Sequence, residues 1–198
     1  MILESIVTTT NEDGSVNISP MGPRLNSPED WEQFELRPFD TSRTFANLQR
    51  TGQGVMHVHD DVELFARAAI GQLEPLPKVA AANLIDGWVL TDACRAYEFR
   101  VQFVDTTGHR MSLNCQVCQV HRMRDFFGFN RARHAVLEAA ILATRLDFLP
   151  AETVRSQFDW LGSMVRKTGG ETELETFLML DRFVSETTAS ATGQGSSA

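Results

Sequence analysis

The sequence predicts a mainly β fold of the α+β class: a small barrel with peripheral helices, followed by a C-terminal helical appendage. Three observations carry this. Apolar residues up to residue 130 often alternate, as in Tyr97, Phe99, Val101 and Phe103, which is the period of a pleated strand. Turn chemistry such as Asp13-Gly14 punctuates those runs. From Arg131 the apolar period lengthens to that of a helix. The expected organisation is a barrel domain over 1–130, a helical segment over 131–187 and a disordered tail over 188–198, where Ser, Thr, Ala and Gly dominate.

Residues 1–22 read as a hairpin. Its first arm is rich in β-branched residues, and Asp13-Gly14 tolerates the positive φ of a tight turn. Pro20 cannot donate to a ladder, so the second arm leaves the sheet there or lies at its edge. Residues 24–33 are polar and loop-like, and Phe34, Leu36 and Pro38 open a short strand. Asp40-Thr41-Ser42 is a helix N-cap signal ahead of Phe45 and Leu48, with a stop at Gly52 and Gly54. Residues 55–59 alternate as a strand. Asp60 or Asp61 then caps a helix carrying Leu64, Phe65, Ala68 and Ala69, which Gly71 closes.

Pro75 and Pro77 mark a loop. Strands follow over 84–92, 96–106 and 111–120, with a turn at Thr107-Gly108-His109. Three helical segments complete the chain. Val136, Ala140 and Ala143 share a face in the first. Val154, Phe158, Leu161 and Val165 share one in the second. Leu174, Phe177, Leu178 and Phe183 mark the third, and Pro150 and Gly169-Gly170 are the breaks.

Composition narrows the function classes. The 198 residues carry 18 Lys plus Arg against 26 Asp plus Glu, a net charge of -8. That balance opposes nonspecific nucleic-acid binding, which needs a basic face to displace counterions. No apolar run has the length to cross a bilayer, and no signal peptide is expected at the N-terminus. Three cysteines make no disulfide framework, which points to a reducing, cytoplasmic setting.

One stretch carries the chemistry. Asn17, Ser19, Pro20, Met21 and Gly22 combine small or polar side chains with an irregular backbone, whose amides and carbonyls could meet the edge of a flat heteroaromatic ring. Arg37, Ser42, Thr44 and Asn47, with Arg43, place guanidinium, hydroxyl and amide donors around a helix N-terminus. That is a natural phosphate site. Each feature also has a purely structural use: a strand-end bulge, a helix cap, and solvated arginines.

The order Asn17-x-Ser19-Pro20, then Asp40-Thr41 with Thr44-x-x-Asn47, then Thr51-Gly52-x-Gly54-Val55-x-x-Val58 resembles the flavin reductase-like, FMN-binding split barrels. Ser42-Arg43-Thr44 also resembles the Ser-Arg-Lys phosphate step of pyridoxamine phosphate oxidase-like split barrels. Asp61 with Leu64-Phe65-Ala66-Arg67-Ala68-Ala69, and Gly128-Phe129-Asn130-Arg131-Ala132, resemble a smaller family more closely. This is a split-barrel family of undefined function with a C-terminal helical segment, found in methanogens and in bacteria with tetrahydromethanopterin-linked one-carbon metabolism.

The resemblance covers roughly residues 3–148. It implies an FMN-binding split β-barrel and a homodimer with FMN near its interface. Arg37, Ser42, Thr44 and Asn47 would hold the phosphate, and Asn17, Ser19, Pro20, Met21 and Gly22 would line the isoalloxazine. Phe126, Phe129 and Arg131 would come from the partner subunit. Thr44 stands where the oxidase-like proteins often carry lysine, which leaves Arg37 or Arg43 to balance the phosphate and weakens the case for oxidase chemistry. The function implied is a flavin-dependent oxidoreductase acting on a small substrate, with a link to one-carbon or pterin-cofactor metabolism. The alternative is an FMN carrier, sensor or interaction protein without turnover. No side chain stands out as a general acid or base.

The remaining candidates have stronger structural readings. His57 and His59 share a strand face but lack an obvious third metal ligand, and surface or interface histidines are the default. Cys115 and Cys118 fall on opposite faces of a strand, which suits packing better than chelation. The basic stretch with His121, Arg122, Arg124, Arg131, Arg133 and His134 fits either an anionic ligand or ion pairs with the acidic remainder. Phe126, Phe127 and Phe129 fit core or dimer packing, or stacking on a flavin.

Overall fold

The computed structural model describes residues 1–27, 29–105 and 111–194, the last four as backbone only. The chain divides into two compact units, Met1–Asp60 with Pro75–Phe126, and Asp61–Glu74 with Phe127–Ala198.

The first unit is built on an antiparallel six-stranded sheet. Its strands are β1 (Ser5–Thr10), β2 (Val16–Met21), β3 (Gln33–Leu36), β4 (Gln53–Val58), β7 (Arg95–Asp105) and β8 (Ser112–Arg122), in the order β2-β1-β4-β7-β8-β3. Pro20 lies opposite Ile6 on β2, and β2 is an edge strand, where a missing N–H leaves no ladder bond unmade. The continuous ladder stays open. Isolated bridges at Arg24 tie it to Ile2 and to Glu35 of the other edge strand.

Helix α1 (Arg43–Thr51) starts at Ser42, whose side chain accepts from the Phe45 amide, and ends at Gly52 in the left-handed region. Glycine reaches that region without a Cβ clash. Val7, Phe34, Leu48, Met56, Phe99 and Leu113 pack together, with Phe34 edge-on to Phe99 at 5.1 Å. A smaller cluster of Val55, Ile85, Val89 and Ala96 packs separately.

Two strand expectations need correction. Only Trp88–Leu90 (β6) of the expected strand 84–92 is extended, paired with an unanticipated β5 (Val79–Ala81). Residues 82–87 between them are held instead by Glu98, which accepts the backbone N–H of Asn83 and of Leu84 at 2.7 Å each. Phe103 does not share the buried face of Tyr97 and Phe99. The β7–β8 register slips between Val101 and Phe103, and Phe103 is exposed. One inserted residue reverses the face of everything beyond it. The expected turn at Thr107-Gly108-His109 lies outside the described residues.

The second unit is helical: α2 (Val62–Ala69), α3 (Arg131–Ala143), α4 (Ala151–Thr168) and α5 (Glu171–Gln194). Asp61 caps α2 by accepting from the Glu63 and Leu64 amides, and Asn130 caps α3. Ala132, Ala135, Ala139, Ala140 and Ala143 are all buried on α3, where small side chains let neighbouring helices approach closely. Val136, Val154, Phe158, Leu161, Val165 and Leu180 complete the core.

On α5 the buried stripe is Phe177, Leu180 and Val184, with Phe183 packed against it, while Leu174 and Leu178 are exposed. Helix α2 packs with the C-terminal helices, although the sequence boundary at 130 assigns it to the barrel. The helix also runs through Gln194, so the expected tail 188–198 is helical that far; its last four residues lie outside the described ones. Among the described residues, no helix is long and apolar enough to cross a membrane.

Candidate functional site

The first turn of α1 and the β1–β2 hairpin share one polar network. The Asn17 amide donates to the Thr9 hydroxyl and to the Thr44 hydroxyl, both at 3.1 Å. The Asn47 amide donates to the same Thr9 hydroxyl at 3.1 Å and to Asn11 Oδ1 at 2.9 Å. Thr9, Thr44 and Asn47 are buried, so these bonds hold side chains that would be costly to leave unpaired. Ser42 Oγ donates to the Phe39 carbonyl at 2.7 Å while accepting from Phe45 N at 3.2 Å.

The backbone N–H groups of Arg43 and Thr44 find no acceptor among the described residues. They are the unpaired donors that every helix N-terminus carries, and the helix dipole adds positive potential there. Arg43 itself is exposed at the head of the helix. The Thr44 hydroxyl, the free amides, the dipole and the adjacent Arg43 side chain make a donor set that fits a phosphate.

The expected site residues divide. Asn17, Ser42, Thr44 and Asn47 converge at α1. Ser19, Pro20 and Met21 follow along edge strand β2, half-buried, with Met21 packed against the core cluster. Gly22 follows the strand, and a Cβ there would come within 2.9 Å of the Ile2 side chain. Arg37 is engaged elsewhere: its Nε lies 2.8 Å from Glu35 Oε1, and Glu35 also accepts from the Ser112 hydroxyl. Burial pushes the Glu35 carboxyl up, but those bonds outweigh it and hold it below its usual value. Phe126 is half exposed and lines a cavity of the first unit that none of the α1 residues borders. Phe129 and Arg131, both exposed, belong to the second unit, where Phe129 stacks against His134.

Thr9, the acceptor shared by Asn17 and Asn47, and Asn11, which accepts from Asn47, are not among the expected site residues. The run Thr8-Thr9-Thr10 reads as ordinary β-branched strand, and only the register, Thr9 opposite Asn17, reveals its role.

The histidine expectation is corrected. His57 is fully buried and His59 nearly so. His57 Nδ1 lies 3.2 Å from the Ile6 carbonyl, and His57 Nε2 accepts from the Leu90 amide at 3.0 Å. That arrangement fixes the neutral tautomer with Nδ1–H donating. Burial pushes its pKa down to about 3. Three members of the basic stretch are paired: His121 with Glu98, Arg124 with Asp60, and Arg133 with Glu173. Cys115 is buried in the main core and Cys118 packs against the smaller cluster. Among the described residues no three His, Cys, Asp or Glu side chains converge to hold a metal ion.

A cavity of about 520 Å³ lies in the same unit, lined among others by Leu3, Trp31, Val58, Arg95, Arg122 and Phe126. Trp31 stacks on Tyr97 with ring centroids 5.0 Å apart. A charged groove of about 630 Å³ in the second unit runs between α2 and α5, with Glu63, Arg67, Glu175 and Arg182 on its walls.

Comparison with known proteins places this architecture. An FMN-bound protein from Methanosarcina mazei superposes with a TM-score of 0.78 over 92% of this chain and 94% of its own, at 22% identity. An FMN-binding protein from Thermus thermophilus gives 0.50 over 61% and 70%, at 17% identity. The flavin reductase of styrene monooxygenase from Pseudomonas putida gives 0.51 over 61% and 81%, at 12% identity. At such identities the likeness establishes the fold, the α+β split barrel of the flavin reductase-like proteins. No curated protein matches significantly. Two family models do match, the "Protein of unknown function (DUF447) N-terminal domain" over residues 3–124 and the "Protein of unknown function (DUF447)" over 130–181. The chain belongs to the DUF447 family of proteins of unknown function.

Proposed function

We propose that this protein binds FMN and uses it as a flavin-dependent oxidoreductase on a small substrate. The observation that carries the reading is the head of α1, where free amides of Arg43 and Thr44 stand beside Ser42, Thr44 and the Arg43 guanidinium. The split-barrel fold supports it, as does the FMN-bound state of the Methanosarcina mazei relative. The bound flavin would supply the electron or hydride chemistry. The chain's own residues would fix the phosphate at α1 and offer the backbone of β2 from Ser19 to Gly22 to the ring edge. Arg43 takes the place of Arg37 as the cation nearest the phosphate, because Arg37 is occupied by Glu35. A homodimer, a cytoplasmic setting and a link to one-carbon or pterin-cofactor metabolism belong to the same proposal. Ser19, Pro20, Met21 and Gly22 remain its proposed flavin contacts, with Phe126, Phe129 and Arg131 contributed across the proposed dimer by the partner subunit.

Three measurements test it. An absorbance spectrum of the purified protein, before and after adding FMN and desalting, should show a retained flavin band. Arg43→Glu should weaken FMN binding about tenfold or more while leaving the melting point unchanged or higher, since acid at a helix N-terminus is favourable. Unchanged FMN affinity in that variant would remove the phosphate assignment. Rapid reduction of the bound flavin by NADH or NADPH would favour an enzyme over a carrier.

A further inference from the structure

The cavity lined by Trp31, Arg95 and Arg122 lies at the end of the sheet away from the α1 network. Strand register shows this. Ser5 pairs with Met21, Val58 with Arg95, and Arg95 with Arg122 at one end. Thr9 pairs with Asn17 at the other, about 13 Å along β1.

Arg95 and Arg122 are direct cross-strand partners, and like charges placed so destabilise a sheet. Neither guanidinium makes an ion pair or hydrogen bond with a described residue, yet both line the cavity. The third arginine there, Arg124, is already held by buried Asp60, at 2.6 and 3.1 Å. Asp125 is the carboxylate on the cavity wall. The walls therefore keep one positive charge in excess, which suits a monoanion. The rest of the lining is Trp31, Phe126, Met123, Leu3, Val58 and Cys94, which suits a flat apolar body. The planar fork of a guanidinium matches a carboxylate, which it can bind with two parallel N–H···O bonds.

We infer that this cavity is a binding site for a small planar aromatic carboxylate, held by Arg95 and Arg122 against Trp31. The inference rests on the walls of this cavity and not on the α1 phosphate assignment, although Phe126 is common to the cavity and to the proposed flavin contacts.

The test uses benzoate as probe, titrated calorimetrically into the full-length protein at neutral pH, with benzyl alcohol and acetate as controls. Saturable benzoate binding is expected, with each control about tenfold weaker or more. Arg95→Gln/Arg122→Gln should lose benzoate binding by about tenfold or more, since two charge-assisted bonds go. It should melt no lower than the parent without ligand, because a repulsive pair has been removed. Its FMN affinity should be unchanged. Absence of saturable benzoate binding to the parent overturns the inference without recourse to any variant. So does equal binding by the variant. A parallel loss of FMN binding would assign the cavity to the flavin instead, and a shift to a smaller species on size exclusion would assign it to contact with a second copy. Either result also overturns the inference.

Discussion

Acidification should unfold this protein through His57. The imidazole is fully buried and committed at both nitrogens, to the Ile6 carbonyl and the Leu90 amide. A second ring proton would turn Nε2 from acceptor to donor, facing an N–H with no acceptor. Burial holds its pKa at about 3 in the folded chain, against 6.5 when solvated. The unfolded chain therefore takes up a proton that the folded chain refuses. Stability from this residue is fully present above pH 6.5 and falls as pH drops toward 3. Between pH 7 and pH 5 the loss is about 2 kcal/mol from this one residue. The Glu98 carboxyl, held below its ordinary value of 4.5, adds its own loss only at lower pH. His57→Gln isolates the effect, because its amide can donate to Ile6 and accept from Leu90 without titrating. Urea unfolding, followed by tryptophan fluorescence at pH 7 and pH 5, should show the parent losing about 2 kcal/mol more than the variant. An equal loss in both would mean that His57 does not carry the acid sensitivity.

Two further outcomes follow from packing. Glu98→Ala strips the Asn83 and Leu84 amides of their acceptor, so stability should fall by about 3 kcal/mol, with faster proteolysis across 82–87; wild-type cleavage there would refute the role of Glu98. Gly54→Ala would put a Cβ 2.9 Å from Phe99 Cζ and 3.0 Å from the Thr8 carbonyl, so a thermal melt should show a loss of about 1–3 kcal/mol, and an unchanged melting point would contradict the close approach of β1, β4 and Phe99.

Local rules written into the sequence settled much of the fold. Asp13-Gly14, Ser42, Asp61 and Asn130 set their turn and caps because those signals act within a few residues. Pro20 required an edge, and β2 is one. Ser42 was legible as the start of α1, the helix head at which the phosphate site is proposed, for the same local reason.

What the sequence could not show depends on partners distant in the chain. Thr9 becomes the hub of the α1 network only through its register with Asn17. The slip between Val101 and Phe103 turns an apolar residue outward, which alternation alone cannot foresee. Arg95 and Arg122 are 27 positions apart and become one charged pair only when β7 and β8 align. Helix α2 joins the C-terminal helices because its apolar face needs a partner, and the order of elements does not name which one.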